Sequence, residues 1–165
     1  MEQNRKALEL NPNYASVYSN MGELLDWTGH HDEAVVLVKK AMRLQPGRIG
    51  DYVKLGSAYY SLGMDSLSMA NIMKAIELQP SYTTSYANLS ELYATLGSVD
   101  KARSLLDSLL AIDPEDLILN FAAANIELNN QQYEKARVLY QRVYDRSPDY
   151  FALLAPLGFA HLQTG

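Results

Sequence analysis

The 165-residue chain has no cysteine, one tryptophan, three phenylalanines and three histidines. Without cysteine there is no disulfide and no thiolate-bound metal, and the redox compartment stays open. Basic residues run short: 14 Lys and Arg stand against 19 Asp and Glu, a net charge of −5. Nucleic acids are held by clustered Lys and Arg on phosphates, so this balance argues against nucleic acid as a main ligand. Apolar runs are short, as in Ala34–Val38, far below the ~20 needed to span a bilayer. The start, Met1-Glu2-Gln3-Asn4-Arg5-Lys6, lacks the apolar core of a secretory signal. The chain reads as soluble, with the cytoplasm favoured and no membrane insertion.

At 48% apolar residues, the chain can bury a core as one domain. Five of its six prolines, Pro12, Pro46, Pro80, Pro114 and Pro148, are each 34 residues apart. Gly29, Gly63, Gly97 and Gly165 keep the same phase, with Gln131 standing in once. A period of this length means one supersecondary unit copied head to tail. With the proline at position 32, the units are 15–48, 49–82, 83–116 and 117–150. Positions 4, 7, 8 and 11 read Tyr18, Met21, Gly22 and Leu25, then Tyr52, Leu55, Gly56 and Tyr59, then Tyr86, Leu89, Ser90 and Tyr93. Spacings of three and four place these on one helical face. The glycine phase breaks that helix. A second one follows, with Ala34 and Val38, Ser68 and Ile72, Ala102 and Leu106, and Ala136 and Tyr140 at positions 20 and 24. Proline then ends it. Each unit is helix A, turn, helix B, turn. Small residues at positions 8 and 20 let the two backbones approach, so Gly22 should face Ala34 and Gly56 should face Ser68.

Residues that carry chemistry elsewhere are poorly placed for it here. His30 and His31 precede Asp32 and Glu33, but adjacent side chains on a helix start do not face each other. Asp32 and Asp65 read better as N-terminal helix caps. No histidine is spaced to activate a serine, and no glycine-rich elbow exposes one. The parts needed for catalysis are missing. The sequence reads as non-enzymatic, without metal or cofactor.

The pattern Tyr18-x2-Met21-Gly22-x2-Leu25…Ala34-x3-Val38…Pro46 resembles the tetratricopeptide repeat, whose signature has this spacing. The resemblance covers nearly the whole chain. It implies an all-α, right-handed superhelical solenoid of antiparallel helix pairs. Unit four departs in helix A, where Asn120, Ala123, Ala124 and Glu127 replace the usual residues, so looser packing or a changed angle is expected there. Residues 1–14 read as helix B of a preceding repeat. Residues 151–165 read as helix A of a truncated fifth, with Pro156 inside it as a source of kinking or fraying. The chain is thus expected to be a fragment of a longer array forming one solenoid domain, whose uncapped C-terminal end could self-associate.

The resemblance further implies that helices A line a concave groove, with positions 2, 5, 6, 9, 12 and 13 facing inward. In unit one these are Ser16, Ser19, Asn20, Glu23, Asp26 and Trp27. The first half of the groove is mildly acidic, with Glu23, Asp26 and Glu91 around Lys54; the second half, with Ile118, Phe121 and Leu128, is apolar. The family's carboxylate-clamp pattern is absent, since position 5 reads Ser19, Val53 and Ala87. An asparagine ladder at position 6 is half present, with Asn20 and Asn88 but Lys54 and Ala122 between and after them. The predicted contact residues are Asn20, Glu23, Lys54, Asn88, Glu91, Phe121 and Asn125. The predicted role is an interaction scaffold for a peptide or partner helix with basic and apolar residues. The alternative is a regulatory or oligomerising arm of a larger enzyme, such as a glycosyltransferase, kinase or nucleotide cyclase.

Overall fold

The computed structural model describes residues 2–164, with side chains for residues 6–150 and 152–164; the phase position of Gly165 lies outside them. The described residues form α-helices and no strand: α1 (Glu2–Leu10), α2 (Ala15–Trp27), α3 (His31–Leu44), α4 (Ile49–Ser61), α5 (Asp65–Leu78), α6 (Thr83–Thr95), α7 (Val99–Leu110), α8 (Leu117–Asn129), α9 (Tyr133–Arg146) and α10 (Leu154–Thr164). The A helices α2, α4, α6 and α8 begin 34 residues apart, and so do the B helices α3, α5, α7 and α9. The chain divides into two compact units, Met1–Ser85 and Tyr86–Gly165. In the first, α2 packs on α3, α3 on α4, α4 on α5, and α2 also on α4. In the second, α7 packs on α8, α8 on α9, and α9 on α10. Within each unit these helices meet near neighbours in sequence, as repeats of one supersecondary unit do.

The seams follow the residue pattern. Ala34, Ser68, Ala102 and Ala136, all at position 20, are fully buried. A Cβ on Gly22 would lie 2.6 Å from Val38 Cγ2, 3.1 Å from the Ala34 carbonyl and 3.3 Å from the Val38 amide. On Gly56 it would lie 2.8 Å from Ile72 Cγ1 and 3.4 Å from the Ser68 carbonyl. The predicted pairings of Gly22 with Ala34 and Gly56 with Ser68 are therefore present, and glycine is what permits them. Branched and aromatic residues at position 24 complete the core: Val38, Ile72, Leu106 and Tyr140 are each at most 1% exposed.

The turn from helix A to helix B is the same in all four repeats. The amides of Gly29, Gly63, Gly97 and Gln131 bond three residues back, to Asp26, Tyr60, Ala94 and Leu128. The next amides, of His30, Met64, Ser98 and Gln132, bond five back, to Leu25, Tyr59, Tyr93 and Glu127, at 2.8–2.9 Å. This pair of bonds satisfies carbonyls that the helix end would orphan, and it needs a left-handed residue at its centre. The three glycines have φ of 83°, 69° and 76°, and Gln131 takes φ 60° in the same place. A side chain is strained there, so the repeat geometry overrides local preference at Gln131. Before the prolines, Gln45 and Gln79 are extended and Ser147 is non-helical, all with φ near −140°, because proline disfavours the helical conformation in its predecessor.

Two local expectations need correction. Asp32 and Asp65 are not helix caps: the cap positions are His30 and Met64, neither of which makes a side-chain cap bond. The two aspartates sit inside the first turn, where they meet the positive end of the helix dipole. Pro156 does not interrupt a helix. The chain enters through a 3-10 turn, Phe151–Leu153, and Pro156 is the third residue of α10. Amides of a first turn have no intrahelical partner, so proline costs little there.

Candidate functional site

In the first unit, the exposed side of α2 and α4 carries a connected polar array. Lys54 of α4 reaches α2, with Nζ 2.9 Å from Glu23 Oε2 and donating to Asn20 Oδ1 at 3.2 Å. The same ammonium donates to Ser19 Oγ at 3.3 Å, and Ser19 donates to Asp51 Oδ1 at 2.5 Å. Asp51 is fully buried, with Arg48 Nε 3.7 Å from its Oδ2. A buried carboxylate is costly unless charges and donors meet it; Ser19 and Arg48 offset part of that cost. One turn further along α2, Asp26 accepts from Ser57 at 3.2 Å and lies 2.6 Å from His31 Nδ1. Three of the predicted contact residues, Asn20, Glu23 and Lys54, are thus brought together by direct contact.

Ser19 and Val53, both at position 5, are buried. Position 5 in this unit therefore serves packing between A helices and not an open groove. Asp51 escaped sequence reasoning. Its signal was a charged residue at position 3, where Val17 and Leu119 stand in units one and four. Trp27, at position 13, keeps 77% of its surface exposed.

The second unit holds the other four. Asn88 and Glu91 lie one turn apart on α6. Glu91 remains exposed to solvent on one side, while crowding by surrounding atoms pushes its carboxyl pKa above the ordinary value. Phe121 is half-buried, its ring edge-on to Tyr140 at 5.8 Å and to Tyr150 at 5.3 Å. Asn125 accepts a 2.6 Å hydrogen bond from the hydroxyl of Tyr140. Tyr140 is fully buried, and desolvation raises its pKa well above the usual tyrosine value. Phe121 and Asn125 therefore share one aromatic cluster around Tyr140.

The divergent helix α8 is firmly held where its polar residues fall. Asn120 is 2% exposed and donates to the carbonyls of Pro114 and Asp116. It thereby copies Tyr18, whose hydroxyl donates to Pro12. Glu127 takes a two-pronged ion pair from Arg103 of α7, both bonds 2.8 Å. That hydrogen bond is the chief cause raising the Arg103 pKa. Beside α8 a cleft of about 70 Å³ is lined by apolar residues including Leu106, Ala123 and Leu139, with Arg103, Asp107 and Glu127 at its edge. Ala123 stands where Met21, Leu55 and Leu89 fill the other repeats. Among the described residues, no group of three His, Asp or Glu side chains could hold a metal ion, and no helix is long and apolar enough to cross a membrane.

Residues 52–82 and 83–116 match the tetratricopeptide repeat family. None of the curated proteins matches the chain. Among solved structures, the chain is similar to TTC0263, a thermophilic tetratricopeptide repeat protein of Thermus thermophilus, with a TM-score of 0.82 and 22% identity, covering 96% of this chain and 87% of that one. YrrB, described as a repeat protein of this kind with an unusual peptide-binding site, gives a TM-score of 0.59 at 19% identity over 98% of this chain and 83% of its own. Human IFIT1, solved as a dimer with a capped RNA, gives 0.75 at 17% identity over 98% of this chain and 41% of its own. These likenesses establish the fold: an all-α stack of tetratricopeptide-type helix pairs.

Proposed function

We propose that this chain of tetratricopeptide repeats is a non-catalytic interaction scaffold. It receives a peptide or a partner's helix on the exposed faces of its A helices. The observation that carries the reading is the Lys54 array, in which one ammonium is fixed by Glu23, Asn20 and Ser19 across two helices. Such side chains are set before a ligand arrives, so binding does not have to order them. Asparagine both donates and accepts, which suits contacts to a peptide backbone. The surplus of carboxylates over cations on this face favours a partner with basic residues, and the protein's net charge of −5 adds long-range attraction. The peptide-binding site named for YrrB supports a peptide as the ligand class. Phe121, Asn125, Asn88 and Glu91 are proposed contacts of the second unit on the same grounds of helix-A position.

The test is selection of displayed random 12-residue peptides on the whole chain, then titration of the winners. Glu23→Lys should weaken basic peptides about tenfold and flatten their salt dependence. Winners that bind the Glu23→Lys chain with unchanged affinity and salt response would place the contact elsewhere.

A further inference from the structure

We infer that Trp27 and Glu23 form a clamp for an arginine side chain of the bound peptide, an inference that rests on the scaffold reading above. Trp27 is the chain's one tryptophan, and 77% of it is exposed. Tryptophan is the largest apolar side chain and is enriched among residues that dominate interfaces. Glu23 lies four residues earlier on α2, so the two side chains are neighbours on one helix face, with Cβ atoms about 5–6 Å apart. Lys54 meets Glu23 through Oε2, and a carboxylate has about four acceptor positions, so room remains for a second cation.

Two other aromatic faces of this unit are served from within. Lys40 Nζ stands 4.0 Å from the centre of the Tyr18 ring, and Lys39 Nζ stands 5.3 Å from that of Tyr59. Among the described residues, no such cation covers Trp27, although its ring attracts cations best. Local charge points the same way. Glu23 pairs with Lys54, Asp51 lies near Arg48, and Asp26 lies against His31, three carboxylates beside two permanent cations and one imidazole. An aromatic face beside a part-used carboxylate fits a guanidinium, which stacks with its plane and bonds with its edge. A compact ammonium achieves only one of these at a time. The occupant is therefore a peptide segment bearing arginine, anchored one turn beyond the Lys54 array.

The experiment uses the whole chain and the selected 12-residue peptides, each paired with an Arg→Gln copy. Arginine should be enriched among winners, and its replacement by glutamine should weaken binding about tenfold. Trp27→Ala should lower affinity at least tenfold and erase the preference for arginine. Trp27→Phe should restore part of it. Emission of the single tryptophan should shift on adding the arginine peptide and not its glutamine copy. Peptides that bind without moving this emission, or an arginine preference that survives Trp27→Ala, would overturn the clamp and leave the scaffold standing. A selection that yields no binder would overturn both. Trp27 is exposed, so its variants should fold normally; retained far-ultraviolet circular dichroism checks this.

Discussion

Adding one methyl group at equivalent glycines should have opposite effects along the chain. Gly22 and Gly158 both occupy position 8 of a helix A. At Gly22 the new Cβ would lie 2.6 Å from Val38 Cγ2 and 3.1 Å from the carbonyl of Ala34. The methyl of Val38 can turn, but the α3 backbone has to move away from α2. Overpacking of this kind costs about 1–3 kcal/mol, and the better helix propensity of alanine offsets about 1 kcal/mol. At Gly158 the new Cβ meets nothing within 4 Å, so only the propensity gain remains, about 0.5–1 kcal/mol. The two substitutions should therefore differ by about 2 kcal/mol, Gly22→Ala destabilising and Gly158→Ala stabilising. Native-state amide exchange, read helix by helix, keeps the comparison local: protection should fall in α2 and α3 for one variant and rise in α10 for the other. Pairing Gly22→Ala with Val38→Ala should not restore full stability, because the Ala34 carbonyl still obstructs. Equal protection in both single variants would refute the claim that close helix contact, and not the turn, dictates glycine at position 8.

Three further outcomes follow from the same geometry. Arg103→Met should cost about 1–3 kcal/mol in urea unfolding, because it strands the nearly buried Glu127; Arg103 itself is one-third exposed, which tempers the loss. Adding Glu127→Tyr, the residue of Tyr59 and Tyr93, should recover most of it, and a strictly additive double-mutant cycle would deny the coupling. Tyr140→Phe should cost about 1–2 kcal/mol by leaving Asn125 without its donor. Because the folded-state pKa of Tyr140 is raised, its stabilising share is intact below the unfolded value near ~10 and fades as pH climbs beyond it. Alkaline unfolding curves of the Tyr140→Phe variant should therefore fall less steeply, and parallel curves would exclude Tyr140 as the source. Gln131→Gly should raise stability by about 0.5–1 kcal/mol in thermal unfolding by relieving the left-handed backbone; a loss would mean that the side chain stabilises the turn through contacts.

Much of the helical frame was legible because its signals are local. Proline fixes where helices B stop, a left-handed residue fixes where helices A stop, and the small–large alternation at positions 8, 20 and 24 sets the seams. The missed features are those that a repeat signature averages away. Ser19 and Asp51 meet 32 residues apart, and Arg103 and Glu127 meet 24 apart; each pair needs two unusual residues to be read across neighbouring repeats. The aspartates at the helix starts mislead because Asp there stabilises through the dipole as well as through a cap bond, and sequence alone does not separate positions one or two residues apart. The proposed contact residues rest on helix-A position alone. Asn20, Glu23 and Lys54 do cluster. Phe121 and Asn125 instead meet Tyr140, whose hydroxyl and ring reach them from the next helix.

The most direct trial of the account is a backbone amide map of the chain by nuclear magnetic resonance, recorded with and without a selected basic peptide. The account predicts shifts concentrated on α2 and α4 around Asn20, Glu23, Trp27 and Lys54. Shifts confined to the B helices α3 and α5 would contradict it.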